Sequence, residues 1–340
     1  LPPGEYVAIA SRGLEYELDE SAPFTVTEDS NIDLTFTLVR SVETAGWISA
    51  DFHVHSIPSH DSGVTLTTRV TTMVSEGVEY FSSNDHDQIT DFDPVIEDMG
   101  LEPWVGATVG LEITTIEVGH FLGFPLQHDY LDDSGGALDW TALTPGEILE
   151  GLDLLGVPGG TEPVSFVAHP RDGILGYYDE YSVNPYIDFA GDIALEGNPL
   201  IAALNPLLAS SNFSTDYDAL ELMGTKHLAI VRSPTQFELD DYALGGTTDM
   251  YDILTRTMAE QDALIDGTMT LGYGHEGQIE DWFTMLNLGY RYTALANSDT
   301  HGTTSTEAGC PRNFFASMTY DPAYIDDEDI AQARRAGQVV

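Results

Sequence analysis

Residues 47–63 read WISADFHVHSIPSHDSG, and they join a run of β-forming residues to a dense group of metal-ligand side chains. The segment 47–55 is a strand candidate that contains His53 and His55. Side chains two positions apart on a strand point to the same face, so the two imidazoles could hold one cation. Taken alone, an H-x-H pair is more often a polar strand edge than a metal site. The rest of the chain has to decide between these interpretations.

From residue 47 onward, strand and helix candidates alternate along the chain. We predict strands in WISADFHVH, VEYFSSND, ATVGLEITT, GHFLGFPL, VSFVAHP, YDALELMG and RYTALANSD. We predict helices in LTTRVTTMVSEG, DPVIEDMGLE, TPGEILEGLDLLG, IEDWFTMLNLGY and DDEDIAQARRAGQ, the last with charges that suit the helix dipole. Because polar residues follow the strands, the pattern predicts a parallel α/β barrel with its site at the carboxyl ends of the strands.

The first 48 residues have a different character. The segments YVAIASRG, APFTVTE and IDLTFTLVR are short and rich in β-forming residues, and the third alternates strictly in polarity. We predict a small β-sandwich-like module in residues 1–48 and the barrel in residues 49–340. We also expect the module to begin before Leu1, and the chain to continue past Val340, because the final VV resembles the start of another strand.

The charge balance is strongly acidic. The 340 residues include 57 Asp and Glu against 11 Lys and Arg, which gives a formal net charge of −46, and Lys226 is the only lysine. A field of this sign repels nucleic acid and anionic membranes, so we expect neither as a partner. The negative charges also repel one another, and salt screens that repulsion, so the composition suits a saline or extracellular setting. An ordinary acidic surface explains the composition equally well.

Two further features of the composition exclude classes of protein. Cys310 is the only cysteine, so neither an intrachain disulfide nor a thiolate metal cluster is expected. No apolar run reaches the roughly 18 residues that a spanning helix needs, so we expect no membrane insertion. The chain shows no signal peptide, and a secreted or periplasmic location is an open expectation.

Ligand-type side chains stand at the ends of six predicted strands. They are His53 with His55, His86, Glu112, His120, His169, and Asp299 with His301. Each has an ordinary explanation by itself, since Asp85 and Asp87 could cap the next helix and His169 could be a satisfied core histidine. The recurrence of such residues at six strand ends of one barrel instead predicts a ring of nitrogen and oxygen ligands.

The ordered motifs DFHVH, SNDHD, GLEITT, GHFLG, AHP and SDTH resemble those of the PHP (polymerase and histidinol phosphatase) superfamily of metal-dependent hydrolases. Within it, the chain is most similar to the carbaryl-hydrolase-like (CehA/McbA) branch, through LPPGEYVAIASRGLEYE, HPRDGILGYYDEY, YDALELMGTKH and WFTMLNLGYRYTALANSDTHG. The resemblance covers nearly the whole chain. It implies a distorted (β/α)7 barrel with two or three divalent metals, Zn, Mn or Fe, at the strand ends.

The resemblance also implies which residues hold the metals. The ligands would be His53, His55, Glu112 and Asp299 for the first metal, Glu112, His120 and His169 for the second, and Asp61, His86 and His301 for the third. Many family members place the first-loop aspartate where this chain has His60. We therefore assign Asp61, one residue later, and keep His60 as the alternative ligand or as a supporting group.

The expected chemistry is hydrolysis by a hydroxide that bridges two metals, because metal binding lowers the pKa of water to about 7. Glu112, as the bridging ligand, and Asp299, as a partner of the water, are the expected catalytic residues. Arg171 is a candidate for contacting substrate near the rim, although it could equally form a salt bridge with an acid such as Asp172. We expect Asp85 or Asp87 to orient His86.

The scarcity of basic residues determines the expected substrate. A dianionic phosphomonoester would require several Arg or Lys, and only Arg171 and Lys226 with His227 are candidates near the rim. We therefore expect a small-molecule substrate that is an aryl carbamate or carboxylic ester, with a phosphodiester or phosphotriester as the alternative. An alternative of a different class is a non-catalytic metal-binding module whose β-rich N-terminus binds a surface partner.

Overall fold

The computed structural model describes residues 1–184, 193–195, 199–224, 278–304, 308–319 and 321–340. The predictions for Lys226 and His227 lie outside these residues. The described strands are β1 (Gly4–Tyr6), β2 (Ile9–Ala10), β3 (Asp19–Glu20), β4 (Phe24–Val26), β5 (Trp47–Val54), β6 (Tyr80–Ser83), β7 (Gly106–Val109), β8 (Leu111–Thr114), β9 (His120–Phe124), β10 (Val164–Val167), β11 (Val183–Asn184), β12 (Ala194–Leu195), β13 (Ala219–Gly224), β14 (Thr293–Asn297) and β15 (Asn313–Ala316).

All five predicted helices form, and the described residues contain two further short helices that the sequence did not predict. The described helices are α1 (Leu66–Ser75), α2 (Asp93–Met99), α3 (Pro145–Leu154), α4 (Tyr177–Glu180), α5 (Pro199–Leu204), α6 (Gln278–Leu288) and α7 (Asp327–Arg335). The two that the sequence did not predict are α4 and α5. Side-chain caps explain several starts: Thr144 and Glu147 form a capping box at α3, and Asp326 with Asp329 forms another at α7. None of the described helices combines the length and the apolar character that a bilayer crossing needs.

Two sheets contain most of the described β structure. One has the strand order β15-β5-β6-β7, and the other has the order β14-β13-β10-β9-β8. The strands β5, β6 and β7 run parallel, as do β10, β13 and β14, but β9 and β15 are antiparallel to their neighbours. The predicted parallel arrangement is therefore wrong for β9, and β15 is an antiparallel strand that the sequence did not predict. The short loop of residues 115–119 explains β9, because only antiparallel strands can be joined so tightly.

The two sheets meet on both sides of the candidate site. On one side the chain passes from β7 to β8 with only Gly110 between them, and a Cβ atom there would lie 2.6 Å from the backbone oxygen of Ser83. On the other side, a parallel bridge between Val54 and Thr300 joins the end of β5 to the residues after β14. The described strands form no continuous closed barrel. The mixed α/β class is confirmed, and the complete (β/α)7 barrel stays a prediction.

Strand β5 is buried on both of its faces, and this determines where its polar residues point. Ile48, Ala50, Phe52 and Val54 alternate with Ser49, Asp51, His53 and His55, and all eight side chains are buried. Ile48, Ala50 and Phe52 pack into a cluster with aromatic residues from the second sheet; the rings of Phe52 and Phe124 stack with centroids 4.8 Å apart. The polar set is consequently held against the ends of the other strands.

The N-terminal residues differ from their prediction. Residues 1–48 contain two two-stranded sheets, β1 with β4 and β2 with β3, and the predicted sandwich is not confirmed. The predicted strand IDLTFTLVR is wrong: in residues 32–40 the only β pairing is an isolated bridge of Arg40 with Tyr16. Leu34 and Val39 are 39% and 57% exposed, so no described sheet covers the apolar face that the alternation predicts. The division at residues 48 and 49 stays a prediction.

Candidate metal centre

The predicted ligands converge where β5, β6, β8, β9, β10 and β14 bring their polar residues together. Four groups of three residues each offer ligand atoms that lie within 4.8 Å of one another inside the group. The groups are His53, His55, Glu112; His53, His169, Asp299; Glu112, His120, His169; and His55, His86, His301. Several residues belong to more than one group, so the groups form one continuous cluster. The strand ends predicted from the sequence thus lie together in space.

Glu112, on β8, lies at the centre of this cluster and is fully buried. Its two carboxylate oxygens lie between 2.7 and 3.6 Å from ring nitrogens of five histidines, namely His53, His55, His86, His120 and His169. Oε1 is the oxygen near His53, His120 and His169, whereas Oε2 is the oxygen near His55 and His86. Because its two oxygens face different histidines, Glu112 could be shared between two metal sites.

Asp299, after β14, completes the group predicted for the first metal. Its Oδ1 atom lies 3.4 Å from Nε2 of His53 and 3.2 Å from Nε2 of His55. The backbone φ is 49° at Asp299 and 22° at His169. Both values are positive, which is uncommon for residues other than glycine. Such strain persists only where the surrounding structure holds it, and it is concentrated at functional sites.

Asp61 joins His86 and His301 at the more open side of the cluster. Its Oδ1 lies 3.4 Å from Nε2 of His86, and its Oδ2 lies 3.2 Å from Nε2 of His301. The same two imidazole nitrogens are 3.2 Å apart. His60 is near this group, with its ring centroid 5.0 Å from that of His86. Asp61 thus lies close enough to both histidines of its predicted group for the three side chains to share one ion.

The donor set fits divalent metals. Nε2 atoms of His53, His55 and His120 are buried and have no hydrogen-bond partner among the described residues. A buried polar atom without a partner costs about 1–3 kcal/mol, so three of them in one cluster require an explanation. A cation among these nitrogens and the facing carboxylates would satisfy them. Mixed imidazole and carboxylate sets suit Zn, Mn and Fe.

The electrostatics of the cluster favour positive charge. Burial lowers the pKa of His53, but Glu221, Asp299 and Glu112 outweigh it and raise the pKa well above the ordinary value. Burial raises the pKa of Glu112, but His86, His53 and His120 outweigh it and lower the pKa well below its usual range. The facing carboxylates therefore stabilise positive charge beside His53.

Acidic side chains behind the ligands were only partly expected from the sequence. Asp85 accepts hydrogen bonds from Ser56 and Thr90 and, at 2.7 Å, from Oγ of Ser59, which lies 3.1 Å from Nδ1 of His55. Asp85 therefore supports His55 through Ser59. The expectation that Asp85 would orient His86 directly is wrong.

His86 is supported by a hydroxyl group instead. Its Nδ1 lies 2.6 Å from Oγ1 of Thr114, whose backbone N–H donates to Asp87. Asp87 also accepts a hydrogen bond from Nε1 of Trp140 at 2.8 Å. The side chain of Asp87 thus makes no described hydrogen bond to the ring of His86 and is linked to it through Thr114, which corrects the second part of that expectation.

Three further buried residues were not recognised in the sequence. Asp51 accepts hydrogen bonds from Ser298 and Gly309, and Arg69 donates to the backbone oxygens of His55 and Thr300. Both side chains tie the end of β5 to the segment after β14, beside the ligands. The third residue is Glu221, a carboxylate inside the otherwise apolar strand β13. Its charge within YDALELMG was the available signal.

Arg171 does not reach into the cluster as a free cation. Its guanidinium donates to Asp281 through Nε at 2.8 Å and through Nη2, to Asp179 at 3.1 Å, and to the backbone oxygen of Val183. Burial lowers the pKa of Arg171, but Asp281 and Asp179 outweigh it and raise the pKa above the ordinary value. The salt bridge considered from the sequence therefore exists, although its partners are not Asp172, and we do not retain Arg171 as a catalytic residue.

Comparisons with known proteins found no matching family model and no similar curated protein. Among solved structures, the chain is similar to a two-domain protein from Bacteroides vulgatus that contains a predicted PHP-like metal-dependent phosphoesterase, with 16% identity and a TM-score of 0.45 over 86% of this chain and 64% of that one. It is also similar to Endonuclease Q in complex with a 27-mer duplex substrate, with 14% identity and a TM-score of 0.41 over 85% of this chain and 57% of that one. A third similar structure is the lesion-specific endonuclease EndoQ from Pyrococcus furiosus, with 15% identity and a TM-score of 0.41 over 86% of this chain and 56% of that one.

The chain thus spans less than two thirds of each of these three proteins. All three TM-scores lie below 0.5, so we base the function on the side chains of the site. The exclusion of nucleic acid as a partner is nevertheless wrong, because one of the similar proteins is described with a duplex substrate. Net charge is summed over the whole chain, whereas phosphate binding depends on local charges such as bound divalent cations. The carbaryl-hydrolase-like branch is not confirmed and stays a prediction.

Proposed function

We propose that this protein is a metal-dependent hydrolase of the PHP type that cleaves ester-type bonds. The proposal is carried by the convergence of six histidines and three carboxylates around buried ring nitrogens that make no hydrogen bond within the described structure. The proposed ligands are His53, His55, Asp61, His86, Glu112, His120, His169, Asp299 and His301. When bound, divalent ions lower the pKa of water to about 7 and stabilise negative charge on the oxygen under attack.

The side chains of the site have separate tasks in this proposal. Glu112, with one oxygen toward each subset of histidines, keeps the ligand groups in a fixed relation. Asp299 is the carboxylate proposed to accept a proton from the attacking water at Oδ1, which lies beside the ring nitrogens of His53 and His55. Neither task needs a serine or cysteine nucleophile.

The exposure of the ligands indicates where substrate enters. The side chains of His53 and His55 are fully buried, whereas that of Asp61 is 44% exposed. Water and substrate would therefore approach past Asp61, with His86 and His301 behind it. The deeper ligands are shielded from bulk solvent, which strengthens the electrostatic interactions among them.

We propose a neutral or singly charged substrate, with aryl carbamates and carboxylic esters as the first class. Two arginines close in sequence to ligands, Arg69 and Arg171, are both buried and engaged by internal acceptors. Neither arginine can bind a dianionic phosphate without giving up those acceptors. Breaking such a buried pair is costly, because it leaves a buried charge without its partner. A carbamate or carboxylic ester with a good leaving group needs no such cation.

A phosphodiester or phosphotriester is the second candidate. The group of Asp61, His86 and His301 favours it, because a third ion on the open side would face an additional phosphoryl oxygen. The sequence motifs that resemble the PHP superfamily point to the same class. Oligonucleotides belong among the substrates tested, since nucleic acid is no longer excluded.

A substrate panel tests the proposal. Metal-stripped protein would be reconstituted with Zn²⁺, Mn²⁺ or Fe²⁺ and assayed on aryl carbamate, carboxylic ester, phosphodiester and phosphotriester chromogens and on abasic duplex DNA, with elemental analysis of each sample. We expect metal-dependent cleavage of at least one ester class. Binding of two or three equivalents without cleavage of any substrate would instead identify a non-catalytic metal-binding module.

A further inference from the structure

Glu221 is a buried carboxylate directly behind the candidate metal centre. It lies on β13 and is 1% exposed. Its two oxygens lie 3.3 and 3.2 Å from Nδ1 of His53, and Oε2 also accepts a hydrogen bond of 2.9 Å from the backbone N–H of His169. One side chain therefore contacts two proposed ligands that come from different strands.

The local structure of β13 explains how a charged residue reaches this position. The neighbours Leu220 and Leu222 are buried in the apolar core, whereas Glu221 points to the opposite face. The pairing with β14 shifts its register between Glu221 and Met223. A bulge of this kind re-aims a side chain and is common beside active sites. The carboxylate is thereby directed toward the ring of His53.

The hydrogen bond to Glu221 determines which nitrogen of His53 is available to a metal. An ionised carboxylate only accepts hydrogen bonds, so Nδ1 of His53 must carry the proton. In the neutral imidazole the lone pair is then on Nε2, which faces Glu112 at 3.6 Å and Asp299 at 3.4 Å. A lone pair facing two carboxylates is repelled by them unless a proton or a metal ion lies between, so Nε2 is the nitrogen left for ligation. The geometry is therefore that of a ligand already oriented for a metal.

We propose that Glu221 is a positioning residue of the metal centre, which orients His53 for Nε2 ligation and anchors the backbone of His169. The inference rests on the proposed function for the presence of metals, but not for the reaction. Histidine ligands commonly donate their second N–H to a carboxylate, and loss of such a partner weakens metal binding about 10–100-fold. The contact with His169 additionally supports a residue whose φ is 22°.

Metal affinity provides the test, with Asp218 as the matched control. Asp218 lies just before β13 and also accepts a backbone N–H from the β10 strand, that of Ser165 at 3.2 Å, but its described contacts include no histidine. Metal-stripped Glu221→Ala, Glu221→Gln and Asp218→Asn proteins would be titrated with Zn²⁺ in competition with a chromogenic chelator. The visible spectrum of the Co²⁺-loaded proteins reports the ligand environment separately.

We expect Glu221→Ala to bind its tightest Zn²⁺ about 10–100-fold more weakly and to change the Co²⁺ spectrum. Glu221→Gln, which keeps an acceptor oxygen but loses the charge, should lie between Glu221→Ala and the unmodified protein. Asp218→Asn should lose thermal stability through its contact with Arg334 but keep the unmodified affinity and spectrum. If Glu221→Ala does not fold, a weakened affinity and altered spectrum in Glu221→Gln remain the criterion.

Unchanged affinity and spectrum in the folded Glu221 variants would overturn the inference, and so would an equal loss in Asp218→Asn. An unmodified protein that binds Zn²⁺ but cleaves no substrate would contradict the proposed function alone, since the affinities still decide the role of Glu221. An unmodified protein that binds no divalent metal would overturn both.

Discussion

Oε1 of Glu112 lies 2.9 Å from Nδ1 of His120, the first residue of the neighbouring antiparallel strand. The pairing of β8 with β9 places Glu112 opposite Leu122 and Thr114 opposite His120. The same carboxylate reaches His86 through its other oxygen, at 2.7 Å. Glu112 is thus shared between ligands on both sides of the cluster, and its removal should disturb more of the centre than removal of a peripheral ligand.

Glu112→Gln should lower kcat/KM at least about a hundredfold, because the neutral amide cannot bridge two cations or balance their charge. The side chain keeps its volume, so the fold should persist. Steady-state kinetics with elemental analysis would measure the effect, and circular dichroism would monitor folding. Undiminished turnover with normal metal content would contradict the bridging role.

Removal of metal should abolish hydrolysis and lower the melting temperature. A ligand that binds only the folded state stabilises it by about 2.7 kcal/mol at a free concentration of 100 times Kd. Differential scanning calorimetry of chelator-treated and reloaded protein would measure this difference. An unchanged melting temperature, together with unchanged activity after verified removal, would exclude a metal centre at these residues.

Asp61→Asn should reduce the bound metal by one equivalent, whereas His60→Ala should leave the metal content unchanged. The carboxylate oxygens of Asp61 lie 3.4 Å from Nε2 of His86 and 3.2 Å from Nε2 of His301. Because Asp61 is near the surface, its substitution should barely affect folding. The opposite pattern, with metal lost in His60→Ala, would identify His60 as the ligand.

Arg171→Met should destabilise the fold by about 3–5 kcal/mol, because it leaves Asp281 buried without its partner. Urea denaturation would measure this loss, and Asp281→Asn should produce a loss of the same kind. Metal content should remain unchanged in both variants. A large drop in kcat in Arg171→Met with unaltered stability would restore the catalytic role that we have rejected.

Glu180 should make stability depend on pH. Burial, with a smaller contribution from Asp179, raises the pKa of Glu180 to about 7, above the ordinary 4.5. Between these values the folded state holds a proton that the unfolded state has lost, so this contribution to stability falls as pH rises from 4.5 to 7. Glu180→Gln mimics the protonated form, and its stability should fall less over that range. Urea denaturation at several pH values would show parallel profiles if Glu180 were not responsible.

The elements around the site could be predicted because their signals are local. The alternation of polarity in β5, the caps of α3 and α7, and the positions of the ligand side chains after successive strands all lie within short segments. Strand ends in an α/β protein gather at one edge, so these positions were sufficient to predict that His53, Glu112 and Asp299 meet.

The residues 32–40 show where a local signal fails. Their alternating polarity predicts a half-buried strand, but a strand forms only where another strand or layer pairs with it. In the described structure that segment has only the bridge between Arg40 and Tyr16. The antiparallel direction of β9 was missed for a related reason, because polarity patterns do not encode strand direction.

The sequence by itself determined the mixed α/β class and the residue types that gather at the strand ends, because periodicity and spacing are properties of neighbouring residues. Only the tertiary structure decided that Glu221 faces His53 and that Asp85 supports His55 through Ser59. It also decided that Arg171 forms its salt bridge with Asp281. Each of these pairs joins segments that are distant in the chain. Their contacts arise from strand order, a bulge in β13 and burial, which are physical consequences of the packed fold rather than of any local pattern.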